Sequence, residues 1–160
     1  MKTLVVYFSR TGVTKSAAQM IADSLKSDLE LIEEERGRKG MGGFLRSCYE
    51  ALRKKTPPIK KTRQDPAAYD LVVIGTPMWA GNMASPVRSY LDQKEGFLPA
   101  VAFLCTSGGS DTAKMMQDMQ EFCENKAVAL LELIDKEVKA GTCAGKIEEF
   151  TGALRDWMGR

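Results

Sequence analysis

Five runs of apolar residues recur along the chain, and segments with helical spacing separate them. The runs occupy residues 2–8, 28–34, 69–76, 100–107 and 127–134. Four of them are apolar at nearly every position, whereas apolar and polar residues alternate in the second. Strands that are apolar on both faces are typical of a parallel sheet covered by helices on both sides. The pattern therefore predicts five strands of such a sheet.

Between the runs, apolar residues return every three or four positions, which predicts amphipathic helices. The predicted helices cover residues 13–26, 43–54, 111–123 and 145–158, and a further helix begins near Ser85, with Ser85 as its N-cap. Helix 43–54 carries an apolar stripe of Phe44, Leu45, Cys48, Tyr49 and Leu52. Because strands and helices alternate, the chain is predicted to be an α/β protein with a doubly wound, five-stranded parallel sheet in a single domain, residues 1–160.

Charge is distributed unevenly along the chain of 160 residues, although the net charge is only +2. Residues 36–63, which we call the basic segment, hold ten lysines or arginines and a single acid, Glu50. The basic segment therefore carries +9 and the rest of the chain −7. This contrast predicts an acidic body with one basic surface, suited to an acidic protein partner. The segment shows no platform of aromatic residues interleaved with the basic ones, so nucleic-acid binding is not predicted. A basic segment that is simply solvated is the alternative.

Residue types exclude several kinds of chemistry. The chain has no histidine, and its four cysteines contain no C-x-x-C pair. A zinc site and a Ser-His-Asp or Cys-His hydrolase are therefore not predicted, and no metal is expected. No apolar stretch is long enough to span a membrane, and the N-terminal run is too short for a secretory signal. We therefore expect a cytoplasmic protein that does not bind membranes.

The turn after the first predicted strand is rich in small hydrogen-bond donors. It reads Ser9-Arg10-Thr11-Gly12-Val13-Thr14 and leads directly into a predicted helix. Free backbone N–H groups at a helix N-terminus favour an anion, and the helix dipole adds to the attraction. The turn therefore predicts a phosphate site, with a hydroxyl-rich helix cap that binds no ligand as the alternative. The chain lacks both G-x-x-x-x-G-K-[ST] and G-x-G-x-x-G, which excludes an ATPase loop and the usual dinucleotide fingerprint.

Two further turns follow the third and fourth strands, at the same edge of the predicted sheet. The first contains Trp79, which can offer a flat apolar face, beside Gly81, which allows a peptide to change orientation. The second, Thr106 to Gly109, offers hydroxyls and glycines that let the backbone approach a planar ligand. Together with the phosphate turn they predict a mononucleotide site, and flavin mononucleotide (FMN) fits best. Alternatively, Trp79 merely packs its loop onto the sheet, and the later turn is only a connection.

Along its whole length the sequence resembles the flavodoxin-like FMN proteins. The phosphate motif of that family, [ST]-x-T-G-x-T, is similar to residues 9–14, and the family's second and third flavin loops resemble residues 75–91 and 105–109. The resemblance implies strand order 2-1-3-4-5 and the short-chain type of flavodoxin. It also implies that FMN is bound by Ser9, Arg10, Thr11, Gly12, Val13, Thr14, Pro77, Met78, Trp79, Ala80, Gly81, Asn82, Thr106, Ser107, Gly108 and Gly109.

The chain departs from the family pattern where a third-loop tyrosine often covers one flavin face, since residues 105–111 contain no aromatic residue. Three functions stay open at this point. The first is a low-potential carrier that passes single electrons between redox proteins, and the second is an FMN-dependent NAD(P)H or quinone oxidoreductase. The third is a non-enzymatic module whose basic segment contacts other proteins. No side chain is predicted to act as an acid, base or nucleophile. For the carrier, alanine in place of Arg36, Arg38 and Lys39 is expected to slow electron transfer to an acidic partner.

Overall fold

The computed structural model describes residues 1–124 and 126–159 and shows a parallel sheet between two layers of helices. The strands are β1 (Thr3–Tyr7), β2 (Asp28–Leu31), β3 (Leu71–Trp79), β4 (Asn82–Met83), β5 (Ala100–Ser107) and β6 (Leu130–Ile134). The helices are α1 (Val13–Leu25), α2 (Gly40–Leu52), α3 (Ser85–Gln93), α4 (Ala113–Phe122), α5 (Asp135–Ala140) and α6 (Ala144–Met158), and a 3₁₀ turn spans Pro66–Ala68.

The five long strands are parallel and lie in the order β2-β1-β3-β5-β6. Counted without the short β4, this is the predicted order 2-1-3-4-5, so the predicted fold class and strand order are confirmed. The additional strand β4 has two residues and pairs antiparallel with the end of β3. It forms because the chain reverses at residues 80–81 directly after β3 and runs back along it.

The sheet buries an apolar layer on each face, because successive residues of a strand point to opposite sides. Val6 and Ile74 pack in one layer with α3 and α4. Val5 and Val73 pack in the other with α1 and α6. The near-continuous apolar runs of the sequence are thus explained by burial on both faces.

Helix α2 lies with its apolar stripe outward, which the sequence pattern did not indicate. The side chains of Phe44, Leu45, Tyr49 and Leu52 are 48%, 61%, 51% and 62% exposed, while Ser47, Glu50 and Ala51 are buried. The helix also begins at Gly40, three residues before its predicted start. Its inner face is polar because it packs onto a buried arginine, Arg38, which is described below.

One local prediction was wrong, and two other segments contain features that the sequence pattern does not indicate. Ser85 is the first residue of α3 rather than its N-cap, because its buried hydroxyl donates to the Glu50 carboxylate at 2.8 Å. Residues 135–144, after the fifth predicted strand, contain the short helix α5, which begins where Glu137 accepts the Ile134 N–H at 3.3 Å. In the charged segment 54–66, Ile59 is buried against the sheet layer.

Tyr90 in α3 gives a stability prediction. Its side chain is fully buried, and its hydroxyl has no hydrogen-bond partner among the described residues. Because an unpaired buried hydroxyl keeps its desolvation cost, Tyr90→Phe should raise the free energy of unfolding by about 1 kcal/mol in urea titrations. Tyr69→Phe is the matched control: the Tyr69 hydroxyl donates to Asp28 at 2.7 Å, so its loss should lower stability. Equal losses in both variants would contradict this expectation.

Candidate functional site

The turns that follow β1, β3 and β5 meet at the carboxyl edge of the sheet, as the strand order requires. They enclose a cavity of about 190 Å³, which we call the candidate cavity. Its lining includes ten of the sixteen predicted site residues, namely Arg10, Thr11, Val13, Thr14, Pro77, Met78, Trp79, Thr106, Ser107 and Gly108. The other six, Ser9, Gly12, Ala80, Gly81, Asn82 and Gly109, belong to the same turns but lie outside the lining.

The N-terminus of α1 presents free N–H groups at this cavity. Gly12 precedes the helix with φ of 95°, its N–H is bonded to Ser9 Oγ at 3.0 Å, and no side chain caps the helix. The first intrahelical bond is made by Ser16, so the N–H groups of residues 13–15 have no acceptor among the described residues. A β-carbon at Gly12 would meet no atom within 4 Å, so no other part of the protein packs against this side of Gly12. This is the geometry of an anion site.

Thr14 connects the turn after β1 with the end of β5. Its Oγ1 lies 2.7 Å from Thr106 Oγ1, and both side chains are buried. The Thr14 hydroxyl is therefore engaged within the protein, while its N–H remains free for a ligand. The bond fixes the start of α1 against the end of β5, which keeps the two turns in register.

The β3–β4 hairpin carries Trp79 and a strained two-residue turn. Trp79 pairs with Asn82, which leaves Ala80 and Gly81 at the tip with φ of 48° and 75°. Positive φ at both tip positions is typical of a type I′ turn, which is unfavourable for alanine. The Asn82 side-chain amide donates to the Ala80 carbonyl at 2.9 Å and holds the turn. Such local strain is often found at ligand sites.

Trp79 is held by two side chains of the protein. The ring of Phe8 meets it edge-on, with ring centres 5.4 Å apart. The guanidinium carbon of Arg38 lies 4.9 Å from the centre of the Trp79 ring, within the range of a cation–π contact. Since Trp79 also lines the candidate cavity, these contacts orient the indole that a planar ligand would meet.

Two residues of the lining, Phe44 and Asp135, were not predicted from sequence. Phe44 projects from α2 and supplies an aromatic side chain to the cavity, whereas the turn after β5 has none. Arg10 holds it there: its guanidinium lies 5.6 Å from the Phe44 ring centre and donates to the carbonyls of Arg38 and Gly40 at 3.3 and 3.2 Å. Asp135 directly follows β6, and its position at a strand end was the available signal. No signal pointed to Phe44, because the apolar stripe to which it belongs indicated a helix that packs this stripe inward.

Arg38 forms a buried cluster of charges beneath α2. Its guanidinium makes two bonds of 2.6 Å to Glu34 and one very short bond to Glu50, and it donates to Ser85 at 3.0 Å. Burial disfavours the charged form, but hydrogen bonds and attraction from both carboxylates outweigh it and raise the pKa of Arg38. Arg38 was predicted as a surface contact of the basic segment. That role is wrong for this residue, because its side chain is only 2% exposed.

The cluster predicts a loss of stability in acid. Burial alone would raise the pKa of Glu50, but hydrogen bonds from Arg38, Arg46 and Ser85 lower it below the ordinary 4.5. A carboxyl with a lowered folded-state pKa stabilises the protein above pH 4.5 and loses that contribution as the pH falls through the lower value. The free energy of unfolding should therefore decline below pH 4.5, and less steeply in Glu50→Gln. Parallel pH profiles of the two proteins in urea would contradict this assignment.

The described residues contain neither a cluster of metal ligands nor a membrane-spanning helix. Residues 1–124 and 126–159 contain no group of three or more His, Cys, Asp or Glu side chains that could hold a metal ion. In the same residues, every helix is too short or too polar to cross a membrane.

The parallel sheet and the three turns at its carboxyl edge define a flavodoxin-like protein. Comparison of sequences agrees: the sequence profile of the Flavodoxin family matches residues 2–149. The chain therefore belongs to the flavodoxin family.

Two solved structures are similar over most of the chain. A flavoprotein from Lactobacillus acidophilus NCFM in complex with FMN has a TM-score of 0.72 and 28% identity, and the match covers 87% of this chain and 97% of that one. A flavoprotein from Bacteroides eggerthii has a TM-score of 0.74 and 25% identity, with coverage of 87% and 94%. Both are therefore similar to this chain in fold and, at a low level, in sequence.

Curated relatives carry the name of an enzyme. The NAD(P)H dehydrogenase (quinone) of Gluconacetobacter diazotrophicus is 27% identical over 116 residues, which are 72% of this chain and 58% of the relative. The NAD(P)H dehydrogenase (quinone) 3 of Rhizobium meliloti is 36% identical over 104 residues, 59% of this chain and 44% of the relative. The chain thus spans less than two thirds of the length of these relatives.

Proposed function

We propose that the protein binds FMN at the candidate cavity and carries electrons at low potential between redox proteins. The observation that carries the proposal is the uncapped start of α1, whose free N–H groups face a cavity that also contains Trp79 and Phe44. An anion site beside two aromatic side chains matches a ligand with a phosphate at one end and a planar ring at the other. The FMN complex of the similar Lactobacillus protein supports the same ligand.

The donor set fits the phosphate of FMN. The N–H groups of residues 13–15 are free, Thr11 is exposed at the lining, and no atom lies within 4 Å of a β-carbon built on Gly12. A cavity of about 190 Å³ is smaller than a typical site for a whole cofactor, so part of the ring system is expected to remain at the surface. A ring that is partly exposed suits transfer of electrons to another protein.

Bound FMN would supply the redox chemistry, since it accepts and releases electrons. The residues of this chain would bind and orient it: the free N–H groups of α1 would hold the phosphate, and Trp79 and Phe44 would contact the ring. Asp135 is the acidic side chain of the lining, and its negative charge opposes the addition of further negative charge nearby. Arg10 is the cation of the lining, and the carbonyls of Arg38 and Gly40, to which it donates, offset part of its charge. The repulsion from Asp135 supports a low reduction potential.

The second candidate is an FMN-dependent NAD(P)H or quinone oxidoreductase, which the names of the curated relatives favour. The structure favours the carrier, because Trp79 at the end of β3 and Phe44 on α2 both line the cavity. These two side chains would compete with a nicotinamide ring for stacking positions on the flavin. Anaerobic titration of FMN-loaded protein with dithionite distinguishes the two. The carrier should be reduced in two separate one-electron steps and should consume NADPH negligibly. Rapid NADPH oxidation with a quinone acceptor would favour the oxidoreductase instead.

The basic segment is proposed as the contact surface for an acidic redox partner. Arg36 and Lys39 are exposed just before the start of α2, the helix that brings Phe44 to the candidate cavity, and Met41 and Leu45 are exposed on the same helix. A partner with carboxylates around an apolar patch complements this surface. A second copy of the chain is less suitable, since a symmetric contact would oppose like charges.

A reduced, acidic [2Fe–2S] ferredoxin is a suitable probe of this surface. Arg36→Ala/Lys39→Ala should slow electron transfer from the ferredoxin to the FMN-loaded protein at low ionic strength, and added salt should reduce the difference. Lys60→Ala/Lys61→Ala removes the same charge elsewhere in the basic segment and serves as the control. Equal rates in the test variant and the original protein would exclude this contact surface.

A further inference from the structure

A second and larger cavity lies beside the C-terminal end of α2. Its volume is about 620 Å³, and we call it the basic cavity. The lining consists of Arg36, Arg46, Glu50, Arg53, Lys54, Lys55, Thr56, Pro57 and Pro58. Arg53 directly follows the last residue of α2 and comes nine residues after Phe44, about two and a half helical turns. The basic cavity is therefore separate from the candidate cavity.

The positive charge of the basic cavity is not balanced within the protein. Glu50 is the one acid of the lining, and its carboxylate already accepts from Arg46 at 2.8 Å and from Arg38. Among the described residues, the remaining four cations, Arg36, Arg53, Lys54 and Lys55, form no ion pair within 4.0 Å. Four like charges around one concavity repel one another, and a polyvalent anion would relieve that repulsion.

The walls of the basic cavity are held in place by the protein. Arg46 is half-buried and donates to the carbonyls of Arg36 and Gly37 at 3.3 and 3.5 Å, which fixes one wall. Elsewhere in the lining, the Lys55 N–H donates to the Glu50 carbonyl at 2.9 Å. Pro57 is buried, and its carbonyl accepts from Ser89 Oγ at 2.7 Å. The cations therefore project from a fixed frame rather than from a free loop.

An exposed aromatic ring stands beside these cations. The side chain of Tyr49 is 51% exposed, and its ring centre lies 4.8 Å from Lys55 Nζ and 5.9 Å from Arg53 Cζ. Aromatic rings that stand next to basic side chains stack readily on nucleobases. Arginine and lysine in turn are the side chains that bind phosphate oxygens.

We propose that the basic cavity binds a nucleoside diphosphate group. The two phosphates contact Arg53, Lys55 and the neighbouring cations, and the base stacks on Tyr49. A diphosphate carries about −3 at neutral pH and a monophosphate about −2, so two phosphates compensate more of the four unpaired positive charges than one does. The proposal is independent of FMN binding, because the two cavities have no lining residue in common.

Calorimetric titration tests this site, with ADP, AMP and inorganic pyrophosphate as probes. Both flavin-free and FMN-loaded protein are titrated, so that binding at the start of α1 is recognised by its loss when FMN is present. ADP should bind in both forms, about tenfold more tightly than AMP, and its affinity should fall as salt rises. Tyr49→Leu should weaken ADP but not pyrophosphate. Arg53→Ala/Lys55→Ala should weaken both by at least about tenfold.

The control is Lys60→Ala/Lys61→Ala, which removes two exposed charges of the basic segment outside the basic cavity. It should leave the affinity for ADP within about twofold of the original. Absence of heat with ADP, or an equal loss in the control, would overturn the site. Pyrophosphate that binds as tightly as ADP would overturn the assignment of a nucleoside.

Discussion

Gly12→Asp should weaken FMN binding by at least about a hundredfold, roughly 2.7 kcal/mol, whereas Gly12→Asn should retain most of the affinity. Gly12 lies directly before the free N–H groups of α1, and its φ of 95° is a conformation that both Asp and Asn tolerate better than other side chains. An aspartate there would accept from the same donors as the phosphate and repel its charge. Asparagine has nearly the same shape without the charge.

The pair of variants separates charge from shape. Nothing lies within 4 Å of a β-carbon at this position, but the positive φ strains any side chain there. Both variants should therefore fold with similar thermal midpoints, somewhat below that of the original. Affinities are measured by quenching of flavin fluorescence on titration of the flavin-free proteins. Similar affinities for the aspartate and asparagine variants would place the phosphate elsewhere.

Arg38→Met should cost about 3–5 kcal/mol of the free energy of unfolding, which is the usual effect of removing one partner from a buried ion pair. The Arg38 side chain is 2% exposed, and its loss would leave the buried carboxylate of Glu34 without its two short bonds. Glu50 would keep only Arg46 and Ser85. Urea unfolding measures the loss directly.

Rescue identifies the cause of that loss. Adding Glu34→Gln and Glu50→Gln to Arg38→Met removes the unpaired charges, so part of the stability should return. Arg36→Met is the control, because Arg36 is exposed and forms no ion pair among the described residues. A loss below about 1 kcal/mol for Arg38→Met would mean that Arg38 is solvated, as the sequence suggested.

The sheet could be predicted from sequence because each central strand has the same requirement along its length. β1, β3 and β5 are buried on both faces, so their residues are apolar at nearly every position. The phosphate turn could be found for a related reason: a run of small donors between such a strand and a helix has few structural uses. The position of these turns at one edge then follows from the strand order.

Helix α2 and the edge strand β2 could not be predicted fully, because their inner faces are polar. Periodicity indicates which residues share a face but not which face is buried. In β2 the buried residue is Glu30, whose carboxylate accepts the backbone N–H groups of Arg63 and Gln64 at 3.2 and 2.9 Å, while Leu31 is 41% exposed. In α2 the buried partner is Arg38. The pairings of Arg38 with Glu50 and of Glu30 with Gln64 join residues 12 and 34 positions apart, so they leave no local pattern in the sequence. The place of Phe44 in the lining depends on the first of these pairings, because it decides which face of α2 is buried.

The relative affinity of the flavin-free protein for FMN and riboflavin tests the central claim most directly. The two ligands share the ring system and the ribityl chain and differ only in the phosphate. If the free N–H groups of α1 hold that phosphate, FMN should bind at least about a hundredfold more tightly, since charge-assisted hydrogen bonds each contribute roughly 1.5–3 kcal/mol. Equal affinities, or no binding of either ligand, would contradict the account.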